Sequence, residues 1–230
     1  NTTGSGNTAL GMNTLLSNTT ASNNTAVGYA ALTLNTTATG NTALGQGSAG
    51  AVTTSPSNTC IGNGAGAAIS TGAGGNVCVG YQAGDTITTG TNNIVIGHTS
   101  DTASATSVQS ITLGNGTIVA LRCQVQSISA LSDRRDKKDI KDLDVGLDFI
   151  NTLHPVKFTW NMRSGDKVDI KEAGFIAQEL DESQNKFDAE EYLQLVLKDN
   201  PEKLEAAMGK LLPSMVKAIQ ELSAKVTELE

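Results

Sequence analysis

A five-residue phrase, Asn-Thr-Ala-aliphatic-Gly or a close variant, recurs through the first half of the chain and limits its fold more than any other feature. The step between copies is 17 residues four times and 18 once. A short repeat that closes each strand-sized unit with glycine is typical of a solenoid whose turns stack on one another. Six copies begin at Asn7, Asn24, Asn41, Asn58, Asn76 and Asn93, and a degenerate seventh begins at Ser110.

Each repeat has the chemistry of one solenoid turn. The alternation in Thr25-Ala26-Val27-Gly28 predicts a short strand with one face directed inward. Asparagine at the head of each strand tolerates turn geometry and can form a ladder of amide hydrogen bonds. The glycine allows a positive φ where the strand ends. Small residues that follow, such as Gly64-Ala65-Gly66, predict a second strand, hence two strands and two turns per repeat.

The two halves of the chain differ in chemistry and predict separate domains. Residues 1–131 hold 20 of the 24 glycines and only three charged residues, which are Asp85, Asp101 and Arg122. We expect a fibre domain over residues 1–120, a linker over 121–131 and a second domain over 132–230. The first half has few large side chains, so a single copy buries little apolar area. Association with identical chains is therefore expected.

Charge and cysteine usage exclude several classes of function. The formal net charge of −7 disfavours nucleic acid and anionic membranes as partners. No apolar run approaches the ~20 residues that span a bilayer, so no membrane insertion is expected. The chain opens at Asn1 without methionine and is interpreted as a fragment. The cysteines fit small core positions and the two histidines show no ligand spacing, so neither a metal nor another cofactor is expected.

The second half alternates helical and strand-like patterns, which predicts a small α+β domain. We expect a helix over about 136–152 and a strand over Val156–Asn161. A hairpin around Ser164-Gly165-Asp166 should lead to a strand over Ala173–Ala177, and a further helix should lie near 190–198. Phe158, Trp160 and Phe175 are predicted as core residues.

The end of the chain carries a heptad pattern over about 204–229. Aliphatic residues alternate in steps of four and three, as the a and d positions of a coiled coil do. This pattern allows a trimer or a dimer, and an amphipathic helix that packs on its own domain is the alternative. Pro213 should kink or restart the helix. The predicted core positions are Met208, Leu212, Met215, Ile219, Leu222, Val226 and Leu229.

The boundary segment around residues 130–140 allows two interpretations. Ser132-Asp133 reads as a helix N-cap with acidic residues in the first turn, and the lysines then form a solvated face. Alternatively, Ser132 and Lys137 are a nucleophile and its base, since a serine hydroxyl needs a neighbour to take its proton. Taken alone, the residues of this segment favour the N-cap interpretation.

Motifs downstream of that segment resemble the intramolecular chaperone auto-processing domain, the S74 peptidase family. They include Leu153-His154-Pro155-Val156, Ala173-Gly174-Phe175-Ile176-Ala177 and Lys210-Leu211-Leu212-Pro213. The resemblance covers residues 132–230 and implies a Ser-Lys dyad that cuts the chain once. It implies Ser132 as nucleophile, Lys137 rather than the adjacent Lys138 as general base, and the Leu131–Ser132 bond as the cleavage site. The repeat half resembles the head repeats of trimeric autotransporter adhesins and phage fibres, which implies a trimeric β-roll.

Together these features predict a trimeric viral (phage) tail fibre or appendage whose C-terminal chaperone drives trimerisation and folding and then cleaves itself off. Its expected partner is itself, as a homotrimer, and its expected location is the virion after folding in the host cytoplasm. The exposed Thr and Asn residues of the fibre either contact a host-surface glycan or receptor or simply keep it soluble. The alternative is a trimeric cell-surface adhesin head with a non-cleaving trimerisation module. A membrane-released transcription factor would need a basic DNA-binding stretch that this sequence lacks.

Overall fold

The computed structural model describes residues 1–118, 120–122, 124 and 129–229. The chain divides into two compact units, Asn1–Ile118 and Val119–Glu230. The linker predicted at 121–131 lies partly outside the described residues. The third cysteine, Cys123, also lies outside them.

The first unit is a parallel β-solenoid, as the repeat predicts. Over the described residues it has one sheet of seven strands in sequential order, each paired in parallel with the next. The register follows the repeat, and Thr59 pairs with Val77 across the single 18-residue step. The strands are β1 (Thr8–Leu10), β2 (Thr25–Val27), β3 (Thr42–Leu44), β4 (Thr59–Ile61), β5 (Val77–Val79), β6 (Ile94–Ile96) and β7 (Ile111–Leu113).

The prediction of two strands per turn is wrong for the described residues, since each turn contains one three-residue strand and a run of tight turns. The small residues after each glycine adopt left-handed conformations, as Ala49 (φ 51°) and Gly64 (φ 68°) do, and such residues cannot extend a strand. Successive turns still exchange backbone hydrogen bonds there, for example from Ala49 N to Ala65 O at 2.9 Å.

The interior of the solenoid contains small side chains and a column of asparagines. The middle residue of each central strand is fully buried, including Cys60 and Cys78, which are the core residues that the sequence predicts. The asparagines form the predicted ladder: each Oδ1 accepts a hydrogen bond from the backbone N of the asparagine one turn later, at 2.8–3.1 Å. The ladder satisfies most of the buried amides without charge. Its fully buried members are Asn24, Asn41, Asn58, Asn76 and Asn93.

The outward face of the sheet carries an aliphatic column. The third residue of every strand lies on this face, one per turn, and several of these side chains are largely exposed. In the last three turns the first strand residue is aliphatic too, as in Ile94 and Ile111, so the column widens. An apolar stripe of this kind, with four members exposed and three partly exposed, is typical of an interaction surface. Its members are Leu10, Val27, Leu44, Ile61, Val79, Ile96 and Leu113.

The second unit is a small α+β domain that ends in a helix, as predicted. Its core contains Val145, Phe149, Leu180 and Leu195, with the rings of Phe149 and Phe187 edge to face at 5.5 Å. The elements are α1 (Leu147–Ile150), β8 (Val156–Asn161), β9 (Val168–Gly174), α2 (Ala177–Lys186), α3 (Glu190–Leu193), β10 (Val196–Leu197), β11 (Glu205–Ala206) and α4 (Leu212–Thr227).

Several predicted boundaries in this unit are wrong. The helix expected over 136–152 is only α1, because Asp139 has a positive φ of 53° and Gly146 begins α1 in a non-helical conformation. The helix expected near 190–198 ends at Leu193, where Gln194 is left-handed (φ 46°), and a short strand follows. The strand expected over Ala173–Ala177 ends at Gly174, and α2, which was not predicted, begins at Ala177.

The C-terminal helix is shorter than the heptad pattern suggests. A 3₁₀ turn, Met208–Leu211, precedes α4. Pro213 lies in the first turn of α4, where its missing N–H breaks no helical hydrogen bond, so it restarts the helix rather than kinking it. Residues 204–207 contain β11 and no helix.

The aromatic residues predicted as core divide between two environments. Phe175 packs against the core. Phe158 and Trp160 lie half-buried on the β8–β9 hairpin, edge to face at 5.1 Å, where Lys167 Nζ stands 4.7 Å from the Trp160 ring centroid. Among the described residues, no helix is long and apolar enough to cross a membrane.

Candidate active site

The candidate site is a single tight turn at the start of the second unit. A 3₁₀ turn, Arg134–Asp136, lies between two extended residues, Asp133 (φ −67°, ψ 136°) and Lys137 (φ −122°, ψ 139°). Backbone hydrogen bonds from Asp136 N to Asp133 O and from Lys137 N to Arg134 O, both 3.2 Å, close the turn. The chain therefore reverses between Ser132 and Lys137.

This reversal brings together the two residues that the family resemblance pairs. The Lys137 ammonium donates a hydrogen bond to Ser132 Oγ at 2.6 Å. That distance lies within the range for a nucleophile and its general base. Both side chains are exposed in the single chain. Ser132 and Lys137 thus form a hydrogen-bonded pair, and in the described part of the chain both side chains lack the dry surroundings that would favour a neutral lysine.

The predicted scissile bond lies at the edge of this turn. Leu131 is 94% exposed and belongs to an irregular stretch with no helical or strand hydrogen bonding. An exposed, irregular peptide can rotate its carbonyl toward a neighbouring nucleophile, whereas a peptide held in a sheet cannot. The Leu131 carbonyl is the one adjacent to Ser132, so the attacked group and the attacking hydroxyl are tethered within one dipeptide.

The same turn carries a forked ion pair that the sequence did not identify. Asp133 Oδ2 accepts a hydrogen bond from Arg135 Nη2 at 2.6 Å, and Oδ1 accepts from the Arg135 backbone N at 2.8 Å. These hydrogen bonds lower the pKa of the Asp133 carboxyl and raise that of the Arg135 guanidinium. The N-cap signal was visible in the sequence, but the partner of the aspartate was not.

Helix α4 presents two different faces. Its inward face carries the buried residues Ser214 and Ala218, and Leu211 of the preceding 3₁₀ turn is buried as well. One turn further, the Glu221 carboxylate accepts a hydrogen bond from the backbone N of Leu147 at 2.7 Å and so caps α1. A Cβ atom at Gly146 would lie 2.5 Å from a Glu221 carboxylate oxygen, so a side chain there would have to displace that carboxylate. Sequence reasoning missed this cap, because the heptad pattern gives no information about the polar face.

The heptad positions lie on the other face and do not pack on the unit that carries them. From Leu212 to Val226 the predicted core residues are 48–65% exposed, with Ile219 the most exposed at 65%. Met208 lies in the 3₁₀ turn before α4, and Leu229 lies beyond its end. Beside this face is an open cleft lined by Leu143, Leu212, Pro213 and Val216. Within the described second unit, the larger apolar side chains of α4 therefore keep about half or more of their surface exposed.

Residues 132–189 match the sequence profile of the Peptidase S74 family, described as chaperone of endosialidase. The match begins at Ser132 and ends before α4. No curated protein and no solved structure matched the chain. The family match and the solenoid together fit a tail-fibre-type protein with a C-terminal chaperone domain, as the resemblance noted in the sequence implies.

Proposed function

We propose that this chain forms a trimeric viral tail-fibre or appendage protein, in which residues 132–230 promote trimerisation and folding and then cut the Leu131–Ser132 bond. The observation that carries the proposal is the 2.6 Å contact between Lys137 Nζ and Ser132 Oγ, at the residue where the family match begins. Such a protein would fold in the host cytoplasm and act in the virion. A host glycan or receptor would meet the exposed Thr and Asn residues of the solenoid.

The chemistry needs only groups of this turn and one water. Neutral Lys137 takes the proton of Ser132 Oγ, which attacks the Leu131 carbonyl carbon. The C–N bond to Ser132 breaks, its nitrogen takes the proton back from Lys137, and an ester joins Leu131 to Ser132 Oγ. Water hydrolyses the ester and leaves a Leu131 carboxylate and a free Ser132 amine. The reaction occurs once per chain.

Assembly is the proposed trigger. A lysine is a base only when neutral, and burial favours the neutral form. Because Ser132 and Lys137 are exposed in one chain, contact with neighbouring copies has to exclude water from them. Cleavage would then report that three chains have come together.

Two apolar surfaces support association of identical chains. One is the outward face of α4, and the other is the aliphatic column of the solenoid. Parallel β pairing between distant residues is slow and prone to errors of register. An early contact through α4 raises the local concentration of the solenoid segments and so favours their correct alignment.

Cleavage is tested with Ser132→Ala and Lys137→Ala in the full chain, followed by denaturing electrophoresis. Wild type should give fragments 1–131 and 132–230, and both variants should stay whole. Lys138→Ala is the matched control and should be cut as wild type is, because the structure brings Lys137 to the serine. A wild-type chain that trimerises but is never cut would contradict self-cleavage and leave the non-cleaving trimerisation module.

Association is tested by native mass. Uncut Ser132→Ala should have three times the 23.7 kDa mass of the chain. Ile219→Lys places a charge on the outward face of α4 and should abolish the trimer, because the charge would be buried without a partner. Ala224→Lys is the control, since Ala224 is exposed on α4 away from the heptad positions. A monomeric, well-folded wild type would contradict the proposed trimer.

A further inference from the structure

The ion pair between Asp133 and Arg135 joins residues of the turn that carries the proposed dyad. Arg135 Nε lies 3.1 Å from Oδ1 and 3.2 Å from Oδ2, in addition to the contacts made by Nη2 and the backbone N. Both carboxylate oxygens are therefore engaged by one residue. The Arg135 side chain is 88% exposed, and an ion pair in that environment adds little stability. We therefore expect the ion pair to affect the geometry of the turn rather than the stability of the domain.

The pair determines where the chain reverses. Asp133 is the N-cap: its side chain accepts the first free backbone N–H of the 3₁₀ turn, from Arg135. Ser132 precedes this cap and Lys137 follows the last residue of the turn, so the two dyad side chains meet only if the turn forms. In an extended chain, residues five apart would be separated by ~17 Å. The cap therefore controls the distance between the serine and the lysine.

The pair also controls the charge next to the lysine. Asp133 and Lys137 flank the 3₁₀ turn, and the Lys137 ammonium contacts Ser132, the residue that directly precedes Asp133. An unpaired carboxylate there would attract the Lys137 ammonium and favour its charged form. Arg135 engages both oxygens of Asp133, and the Lys137 ammonium contacts Ser132.

We propose that Asp133 is a positioning residue of the self-cleavage site, which caps the turn that joins Ser132 to Lys137, and that Arg135 holds its carboxylate away from the lysine. This inference rests on the proposed self-cleavage. No residue of the 3₁₀ turn is buried, so substitutions of the fork should not unfold the domain. Circular dichroism and native mass check that every variant is folded and assembled.

The first test is the dependence of the cleavage rate on pH. Arg135→Ala frees the Asp133 carboxylate, which stabilises the Lys137 ammonium, so the midpoint of the rate–pH profile should move upward by about half a pH unit. Asp133→Asn combined with Arg135→Ala should return the midpoint to the wild-type value, because the freed charge is absent. Arg134→Ala is the matched control: it removes a neighbouring arginine from the same turn and should leave the profile in place. An Arg135→Ala profile that superimposes on that of wild type would overturn the charge role.

The second test separates the cap from the charge. Asp133→Ala removes the cap and should slow cleavage about fivefold, whereas Asp133→Asn keeps a cap of similar quality and should recover most of the rate. A wild-type rate for Asp133→Ala would overturn the positioning role. If wild type itself stays whole, self-cleavage fails; if wild type is cut while Ser132→Ala is not, only the inference about Asp133 and Arg135 is at risk.

Discussion

The two units of this protein are stabilised in different ways. The solenoid interior is periodic: small residues such as Ala43 or Cys60, buried asparagines and aliphatic residues such as Ile69 recur from turn to turn. The C-terminal unit has a conventional core of large side chains around Phe149, Leu180 and Leu195. In the solenoid the backbone hydrogen bonds between turns set the structure, and side chains only have to fit. In the C-terminal unit the packing of particular side chains decides where each short element lies.

This contrast explains why the two kinds of unit are joined in one chain. A periodic ladder has no intrinsic starting point, since each turn could pair with several others of nearly the same sequence. A domain with a specific apolar core folds from local contacts and does not share this ambiguity. It can therefore serve as a fixed end from which copies of the ladder are aligned.

The largest effect should come from a backbone clash in the solenoid. Gly62 has φ +137°, and a Cβ there would lie 2.6 Å from the carbonyl carbon of Gly80. Gly62→Ala should destabilise the solenoid by about 3 kcal/mol or more, because neither the conformation nor the neighbouring turn can adapt. Thermal unfolding followed by circular dichroism measures the change. The isolated C-terminal fragment cannot report it, so the full chain is used.

Gly72 provides the control for this substitution, because it belongs to the same repeat. Its φ is +86°, but a Cβ there meets nothing within 4 Å. Gly72→Ala should cost only about 1 kcal/mol, from the left-handed conformation alone. Equal losses for the two variants would mean that the close approach of successive turns does not hold the solenoid together.

The next effect concerns the asparagine ladder. Asn58 donates through Nδ2 to Asn41 Oδ1 at 3.2 Å and to Ala73 O at 3.1 Å, and its own Oδ1 accepts from Asn76 N at 3.0 Å. Asn58→Ala leaves buried partners unsatisfied and should cost about 2–4 kcal/mol, measured by the same unfolding experiment. Asn63→Ala is the exposed control and should cost under about 0.5 kcal/mol. An Asn58→Ala variant with the unfolding free energy of wild type would show that water can replace the hydrogen bonds of the ladder.

The sequence predicted the solenoid well because periodicity repeats the same information in each turn. The asparagine ladder, the positive φ of the closing glycines and the inward position of Cys60 follow from residue chemistry that does not depend on distant contacts. The second strand of each turn was predicted wrongly, since runs of Ala and Gly fit tight turns as well as strands. In the C-terminal unit, β8 was predicted with its exact bounds, whereas α1 was predicted much too long. The positive φ of Asp139 and the non-helical Gly146 keep the preceding residues out of α1.

The candidate site shows where local reasoning stops. The segment 132–137 alone favours an N-cap, and the family resemblance adds the Ser-Lys interpretation. In the structure one turn has both features, because the capped 3₁₀ turn is what brings Lys137 to Ser132. The spacing alone could not give this result: five residues along an α-helix would separate the two Cα atoms by ~7.5 Å along the axis. The type of turn had to be known.

A smaller effect is expected at the contact between α4 and α1. Glu221→Ala removes the carboxylate that caps the Leu147 N–H and should destabilise the C-terminal unit by about 1–2 kcal/mol. Denaturant unfolding of the Ser132→Ala full chain, followed by the fluorescence of Trp160, measures it. Glu228→Ala, beyond the end of α4, is the control and should be within about 0.5 kcal/mol of wild type. If Glu221→Ala also lowered the unfolding midpoint of the solenoid, the two units would not be stabilised independently.

The smallest effect concerns Tyr192, which ties α3 to the segment that follows the candidate site. Its hydroxyl donates to Asp144 Oδ1 at 2.7 Å. Burial, then this hydrogen bond, and then the charges of Asp144 and Asp188 raise the pKa of Tyr192 to about 12. The neutral phenol is therefore favoured in the folded state. Its stabilisation is fully present below pH ~10, the ordinary tyrosine value, and is lost as pH rises toward 12.

Tyr192→Phe should accordingly cost about 0.5 kcal/mol at pH 7, a small value because the side chain is half exposed and water screens the contact. The phenolate absorbance of the folded protein, titrated against that of Tyr192→Phe, should show one tyrosine that ionises later than a free one. Tyr81→Phe is the control, since Tyr81 is exposed in the solenoid and stacks only on His98. If Tyr192 ionised at the same pH as free tyrosine, Asp144 would not be held against α3. The segment between the candidate turn and the domain would then lack the hydrogen bond from Tyr192. Each asparagine of the ladder is held by the solenoid turns on both sides of it. The contact between Tyr192 and Asp144 depends on a single pair of exposed side chains, so it is expected to be both weaker and more easily broken.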